Sequence, residues 1–142
     1  MKTPVDLQQL VKCVGDAVIV SDANEKIVLW NPSATRIFGY PEEEALGQTL
    51  DLIVPERQRQ RHSEGYSKSM QTGTTRYGTS LLKVPAKHKD GSMLSIAFTV
   101  GMLFDEQHQA NGVVAIIRDE TARFAEERAL KKRISDLENP QP

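Results

Sequence analysis

Residues 27–40 read Ile27-Val28-Leu29-Trp30-Asn31-Pro32-Ser33-Ala34-Thr35-Arg36-Ile37-Phe38-Gly39-Tyr40. Four apolar residues, one β-branched pair and a tryptophan among them, form a strand. The chain then turns at once into a helix, because Asn31 supplies a capping side chain and Pro32 suits the first helical position. Ala34, Ile37 and Phe38 share one side of that helix until Gly39 ends it. A strand feeding a short capped helix with an apolar side sets up a sheet with helices laid on it.

Working upstream, Asp22-Ala23-Asn24-Glu25 is a turn between Ala17-Val18-Ile19-Val20 and Lys26-Ile27-Val28-Leu29-Trp30, so the two strands pair as a hairpin. Before them, Val5, Leu7, Leu10, Val11 and Val14 give an approximate helical stripe over 5–14, stopped by Gly15. Downstream, Pro41 with Glu42, Glu43 and Glu44 opens a short helix whose acids sit at its positive end, closed by Gly47. A longer helix starts after Pro55, at Glu56 or Arg57, and runs to Met70, ending near Gly73.

The last third is strand-like. Tyr77 to Lys87 is one strand, Lys89-Asp90-Gly91-Ser92 a hairpin turn, and Met93 to Leu103 a second strand. In that second strand Leu94, Ile96, Phe98, Val100 and Met102 alternate with Ser95, Ala97, Thr99 and Gly101, the clearest period of two in the chain. Asp105 to Gly112 is a polar connection, and Val113 to Ile117 the last strand. From Glu120 to Leu137 the pattern is helical, with Leu130, Ile134 and Leu137 at a spacing of four and three. Six basic and six acidic residues lie between Arg118 and Glu138, so this narrow stripe reads as a coiled-coil seam in a solvated helix. Strands in two blocks around a helical middle make an α+β arrangement: an antiparallel sheet with helices on one side and a ligand pocket between them.

Composition narrows the function. The chain has 142 residues, a formal net charge of -1 and one cysteine. That length suits one domain with its own core. The balanced charge gives no footprint for nucleic acid or an anionic membrane. No apolar run approaches the ~20 residues of a membrane span. Cys13 alone excludes an intrachain disulfide, and the whole reads as a cytoplasmic, reducing-compartment protein. No Ser/His/Asp context, phosphate-cradling glycine loop or metal cluster is present, so an enzyme is not expected.

These stretches resemble the PAS domain, a sensor module of bacterial signalling proteins. Asp16 to Asp22 is similar to the family's opening strand, and 27–40 to its second strand and first short helix. Glu43 to Gly47 and the Lys89–Ser92 hairpin match as well. Arg118-Asp119-Glu120-Thr121 is similar to the Asp-x-Thr exit motif that joins PAS cores to an output helix. The resemblance implies a PAS fold: a five-stranded antiparallel sheet with short helices on one face, plus flanking helices at both ends. Residues 1–15 become an N-terminal helical cap, 16–119 the core, and 120–142 a C-terminal signalling helix or coiled coil with a tail.

Within the core, Pro55-Glu56-Arg57-Gln58-Arg59-Gln60-Arg61-His62 resembles the helix of heme-binding PAS sensors, among them rhizobial oxygen-sensing kinases and direct-oxygen-sensor phosphodiesterases. The resemblance puts His62 as the axial ligand of a heme b iron, a role a neutral imidazole can fill while leaving the opposite face open for a gas. Lys68 and Arg76 fall where such sensors hold the heme propionates. Leu82 falls where they carry the distal arginine that bonds oxygen, so oxygen selection by that arginine is not expected here. Leu94, Ile96, Phe98, Ile116 and Ile117 are the remaining pocket or core residues. Met102 reads as core, and His88 and His108 as exposed. Cys13 lacks the Asn-Cys-Arg-Phe setting of photoactive flavin relatives. Three functions follow: a heme-dependent sensor of O2, CO, NO or redox state; a cofactor-free module that forms a homodimer through its flanking helices; or a sensor of another ligand such as FAD in the same pocket. Each implies a downstream effector domain or partner protein.

Overall fold

The computed structural model describes residues 3–139. Ten main elements carry the fold in the order expected, beginning with α1 (Leu7–Cys13), β1 (Ala17–Asp22), β2 (Ile27–Trp30), α2 (Pro32–Phe38), α3 (Glu42–Ala45), α4 (Arg59–Thr72) and β3 (Leu82–Lys87). They are followed by β4 (Met93–Phe104), β5 (Ala110–Asp119) and α5 (Thr121–Glu138). The five strands form one antiparallel sheet in the order β2-β1-β5-β4-β3. The tail beyond residue 139 lies outside the described residues.

Asn31 caps α2 as its sequence demands and also knits the fold together. Its Oδ1 accepts from the Ala34 N–H at 3.0 Å and from the Val18 N–H at 2.9 Å. Its Nδ2 donates to the carbonyls of Val11 and Asp16. One buried side chain thus joins α2, β1 and the end of α1, leaving none of its groups unpaired. Trp30 fills the space beside it. Its Nε1–H donates to Thr35 Oγ1 and the Tyr40 carbonyl, and its ring meets Phe38 at 5.8 Å. With Ala17, Ile19, Ile27, Ile37, Ile96 and Ile117 these side chains form the core between the sheet and α2–α3. Each large one contributes roughly 1.5–3 kcal/mol by leaving water.

Two boundaries differ most from the sequence reading. β3 starts at Leu82 rather than Tyr77, because the Ser80 N–H bonds the Tyr77 carbonyl and Gly78 takes a left-handed conformation, making a turn of 77–80. β5 starts at Ala110 rather than Val113, because backbone pairing continues past the apolar run, with Gly112 opposite Leu103. The hairpin loop shrinks to 105–109, held by Asp105 Oδ1 accepting from the Gln107 and Gln109 N–H groups. His88 is also not free in solvent. Its ring lies against Gly39, and its Nδ1 accepts from the Asp90 N–H.

The exit to α5 is locked. Asp119 Oδ1 accepts from the Thr121 N–H and hydroxyl, while Thr121 Oγ1 accepts from the Ser95 N–H and Glu120 N–H bonds the Ser95 carbonyl. The last strand and the last helix are therefore one mechanical piece, tied to the start of β4. Among the described residues, no helix is long and apolar enough to cross a membrane.

Candidate functional site

Strand register sorts the sheet's side chains into two faces. Leu82 pairs with Phe98, Phe98 with Ile117, and Ile117 with Ala17, so all point to the inner, core-bearing face. Val100 with Ala115 and Met102 with Val113 continue it. Their sequence neighbours point the other way. Ile116 therefore lies on the outer face, where it joins Leu81, Ala97 and Thr99 beside the Asp16–Arg118 ion pair in a depression of about 200 Å³. The expectation that Ile116 shares a pocket with His62 is corrected: strand alternation gives the inner face to Ala115 and Ile117 instead.

Helix α4 begins after a 3₁₀ turn at Glu56–Gln58 and ends at Gly73, which adopts the left-handed C-cap conformation at φ 73. Its inward row is mostly polar: His62, Ser63, Tyr66 and Ser69 are shielded, with Met70 at its end, while Arg61, Glu64, Ser67 and Lys68 face out. Tyr66 is the one buried residue of this helix. A helix held by a polar row needs hydrogen bonds rather than packing, and α4 finds them at the turn after β1. The Tyr66 hydroxyl donates to the Asp22 carbonyl at 2.6 Å and lies 2.8 Å from Ser21 Oγ. Burial raises the Tyr66 pKa above its ordinary 10.0; the Ser21 hydrogen bond opposes that, and the charges of Asp22 and Glu25 add to it.

Four residues before Tyr66, His62 is in the same row. Its Nδ1 stands 2.9 Å from Glu25 Oε1, and Ser63 Oγ donates to Glu25 Oε2 at 3.1 Å. Glu25 reaches them from a left-handed backbone position, φ 66, in the β1–β2 turn. The His62 side chain is 36% exposed and that of Glu25 13%. A carboxylate accepts only, so in the neutral ring Nδ1 carries the proton and Nε2 keeps the lone pair. That is the arrangement in which a histidine serves as a metal ligand: one nitrogen anchored by an outer carboxylate, the other free to donate.

The remaining predicted residues divide. Leu82 is half-buried on the inner face, and Leu94 packs against the core that contains Ile96. Lys68 lines an open groove of about 620 Å³ along α4 with Gln60, Glu64 and Gln71. Arg76 is exposed beyond the helix and stacks over Tyr77 at 5.2 Å. The structure does not bring these two cations into the row that holds His62. Sequence reading missed Glu25 and Tyr66. The 62/66 spacing marks one helix face and offered a signal for Tyr66; no local spacing encodes the contact to Glu25.

Comparison with known proteins agrees with this architecture. The PAS fold family matches residues 6–119. The sensor protein FixL of Bradyrhizobium diazoefficiens is 30% identical over 95 residues, covering 67% of this chain and 19% of its own. The oxygen sensor protein DosP of Escherichia coli is 26% identical over 121 residues, covering 83% and 14%. The chain thus spans less than a fifth of these curated relatives. A crystal structure of a PAS domain from Colwellia psychrerythraea superposes with a TM-score of 0.71 at 23% identity, over 82% of this chain and 95% of that one.

Proposed function

Given that the chain belongs to the PAS family and is a sensor domain of signalling, we propose that it holds a heme b through His62 and reports a diatomic gas, or the redox state of the heme, to α5. The observation that carries this reading is the Glu25–His62 contact, which fixes the imidazole tautomer and aims a free Nε2 lone pair away from the carboxylate. What supports the group is one anchored imidazole and a half-buried apolar wall on the inner sheet face; Lys68 and Arg76, the cations the resemblance puts at the propionates, stand outside the row that holds His62. When bound, heme would supply an iron that takes up a diatomic gas or changes redox state.

The chain's own residues do the rest. His62 and Tyr66 sit in one row of α4 and grip Glu25, Ser21 and Asp22 at the end of β1. β1 pairs with β5 along its whole length, from Ala17–Ile117 to Asp22–Gly112. β5 then continues into α5 through the Asp119–Thr121 lock. A shift of α4 against the sheet acts on β1 through polar contacts and on α5 through β5. In this reading the domain regulates and does not catalyse, and its output is a downstream effector in a longer protein or a partner.

The test is a visible spectrum of the purified chain after addition of hemin. A Soret band that His62→Ala abolishes is expected. A chain that stays colourless, or one that purifies with a flavin spectrum, overturns the heme reading.

A second reading draws on a different observation. Leu130, Ile134 and Leu137 on α5 are 58%, 54% and 75% exposed, and Leu7 and Leu10 on α1 are exposed too. Such apolar rows favour a homodimer through the flanking helices, with or without a cofactor.

A further inference from the structure

Resting on the homodimer reading, we propose that α5 pairs with α5 of a second copy as a parallel, in-register coiled coil. The seam is closed over 130–137 and open beside the sheet. Leu130, Ile134 and Leu137 follow a spacing of four and three and are all exposed, so one face of the helix presents a narrow apolar row to solvent. Phe124, the other large exposed apolar side chain of α5, lies off that row, with the Arg128 guanidinium 5.8 Å from its ring centre. One and two turns nearer the sheet the same face holds Glu127 and Arg123, which meet at 3.6 Å; Arg123 also reaches Glu120 at 3.9 Å. Drying these charges in a seam costs more than their pairing returns, so this part of the face stays wet and the apolar contact starts at Leu130.

The charges beside the row decide which way the second helix runs. Glu126 and Arg133 flank it on one side, Lys131 and Glu138 on the other. All four are exposed, and among the described residues none of them forms an ion pair within its own chain. With two helices parallel and in register, a residue on the first side faces the second side of its neighbour a little more than one turn further on. Glu126 then meets Lys131 of the second copy, Arg133 meets Glu138, and the twofold axis repeats both pairs. Leu130, Ile134 and Leu137 each stack on their own counterpart. In the antiparallel arrangement that stacks Leu130 on Ile134, Lys131 would instead face Lys131, and Arg133 would face Arg133. Exposed ion pairs add little strength, but like charges in contact reject an orientation, so these four side chains specify the parallel dimer.

The experiment uses the whole chain with the exposed Cys13 changed to serine. Sedimentation equilibrium should show a dimer. Ile134→Cys and Leu137→Cys, each introduced singly and oxidised mildly, are both expected to give disulfide-linked dimers, because parallel in-register helices bring every seam position against itself. Lys131→Glu should weaken association by roughly three- to tenfold, and adding Glu126→Lys to it should restore the affinity. Glu127→Leu, which carries the apolar row one turn nearer the sheet, should tighten association by roughly tenfold or more. All these positions are exposed, and thermal melting of each variant checks that the core is intact. A dimer that links through at most one of the two cysteine positions, or a Lys131→Glu loss that Glu126→Lys fails to reverse, overturns the parallel arrangement and leaves the homodimer reading standing. Unchanged affinity in Glu127→Leu overturns the open end of the seam. A chain that sediments as a monomer overturns both the inference and the homodimer reading.

Discussion

Glu25 and His62 are 37 positions apart in the chain, yet the carboxylate of one and Nδ1 of the other meet at 2.9 Å. The contact ties the turn between the first two strands to the helix that carries the imidazole. It sets which ring nitrogen is free, and it gives any displacement of α4 a direct hold on β1.

Glu25→Gln tests what the carboxylate does. The amide keeps the side-chain length and a hydrogen-bond acceptor but loses the negative charge behind the ring. With less charge behind it, the imidazole becomes a weaker donor, and outer-shell losses of this kind weaken metal binding by about 10–100-fold. Hemin uptake should survive with reduced affinity, and the reduction potential should rise, because a less basic ligand favours the ferric state less. Spectroelectrochemical titration measures it. A potential equal to that of the wild type would show that the Glu25 charge does not tune His62.

Tyr66→Phe removes the hydroxyl that holds α4 to Ser21 and Asp22. The Asp22 carbonyl still accepts from the Glu25 N–H, but buried Ser21 loses a partner. The expected loss is about 1–2 kcal/mol, read from urea unfolding. A pH series adds a second signature. The Tyr66 pKa is raised in the fold, chiefly by burial, so its contribution is complete below the ordinary value of 10.0 and lost as pH rises through the folded value. The wild type should therefore lose stability above pH 10 faster than Tyr66→Phe, and the gap between them should narrow. Parallel curves would mean that the hydroxyl does not titrate with folding.

Local chemistry made most of the fold legible. The Asn31-Pro32 start of α2, the alternation of 94–102 and the glycine stops after α2 and α4 each act within a few residues, and each appears where the sequence puts it. The strand ends were less legible, because pairing across the β4–β5 hairpin carries the backbone beyond the apolar run. Ile116 and Ile117 are chemically alike; only the register against Val18 and Ala17 decides which faces the core. The site was half legible. His62 falls on the inward row of α4, but the partner that orients it comes from a turn whose sequence announces only a turn.

Gly39→Ala probes the seam between α2 and the β3–β4 hairpin. Gly39 has φ 87, and an added Cβ would stand 2.5 Å from Cε1 of the His88 ring. A left-handed alanine costs about 1–2 kcal/mol by itself, and the overlap with His88 adds to it. His88→Ala opens that space, so the double variant should be more stable than the sum of the two losses predicts. Thermal and urea unfolding of the four proteins in the cycle give the coupling. Additive losses would place the whole penalty in the backbone and none in the ring.

Ile134→Lys separates pairing from folding. Ile134 lies between Leu130 and Leu137 on α5, and all three side chains are exposed in the single chain. Lysine is as good a helix former as isoleucine or better, and no core contact is lost, so monomer stability should move by less than about 0.5 kcal/mol. In a dimer formed along this row, the same change places a charge in the apolar seam and drives the chain to monomers. Sedimentation equilibrium across a concentration series distinguishes the cases. A wild type that sediments as a dimer, an Ile134→Lys variant that sediments as a monomer and unchanged core melting are expected. A dimer that persists in the variant assigns pairing to another surface, with the exposed Leu7 and Leu10 of α1 next to be tested in the same way.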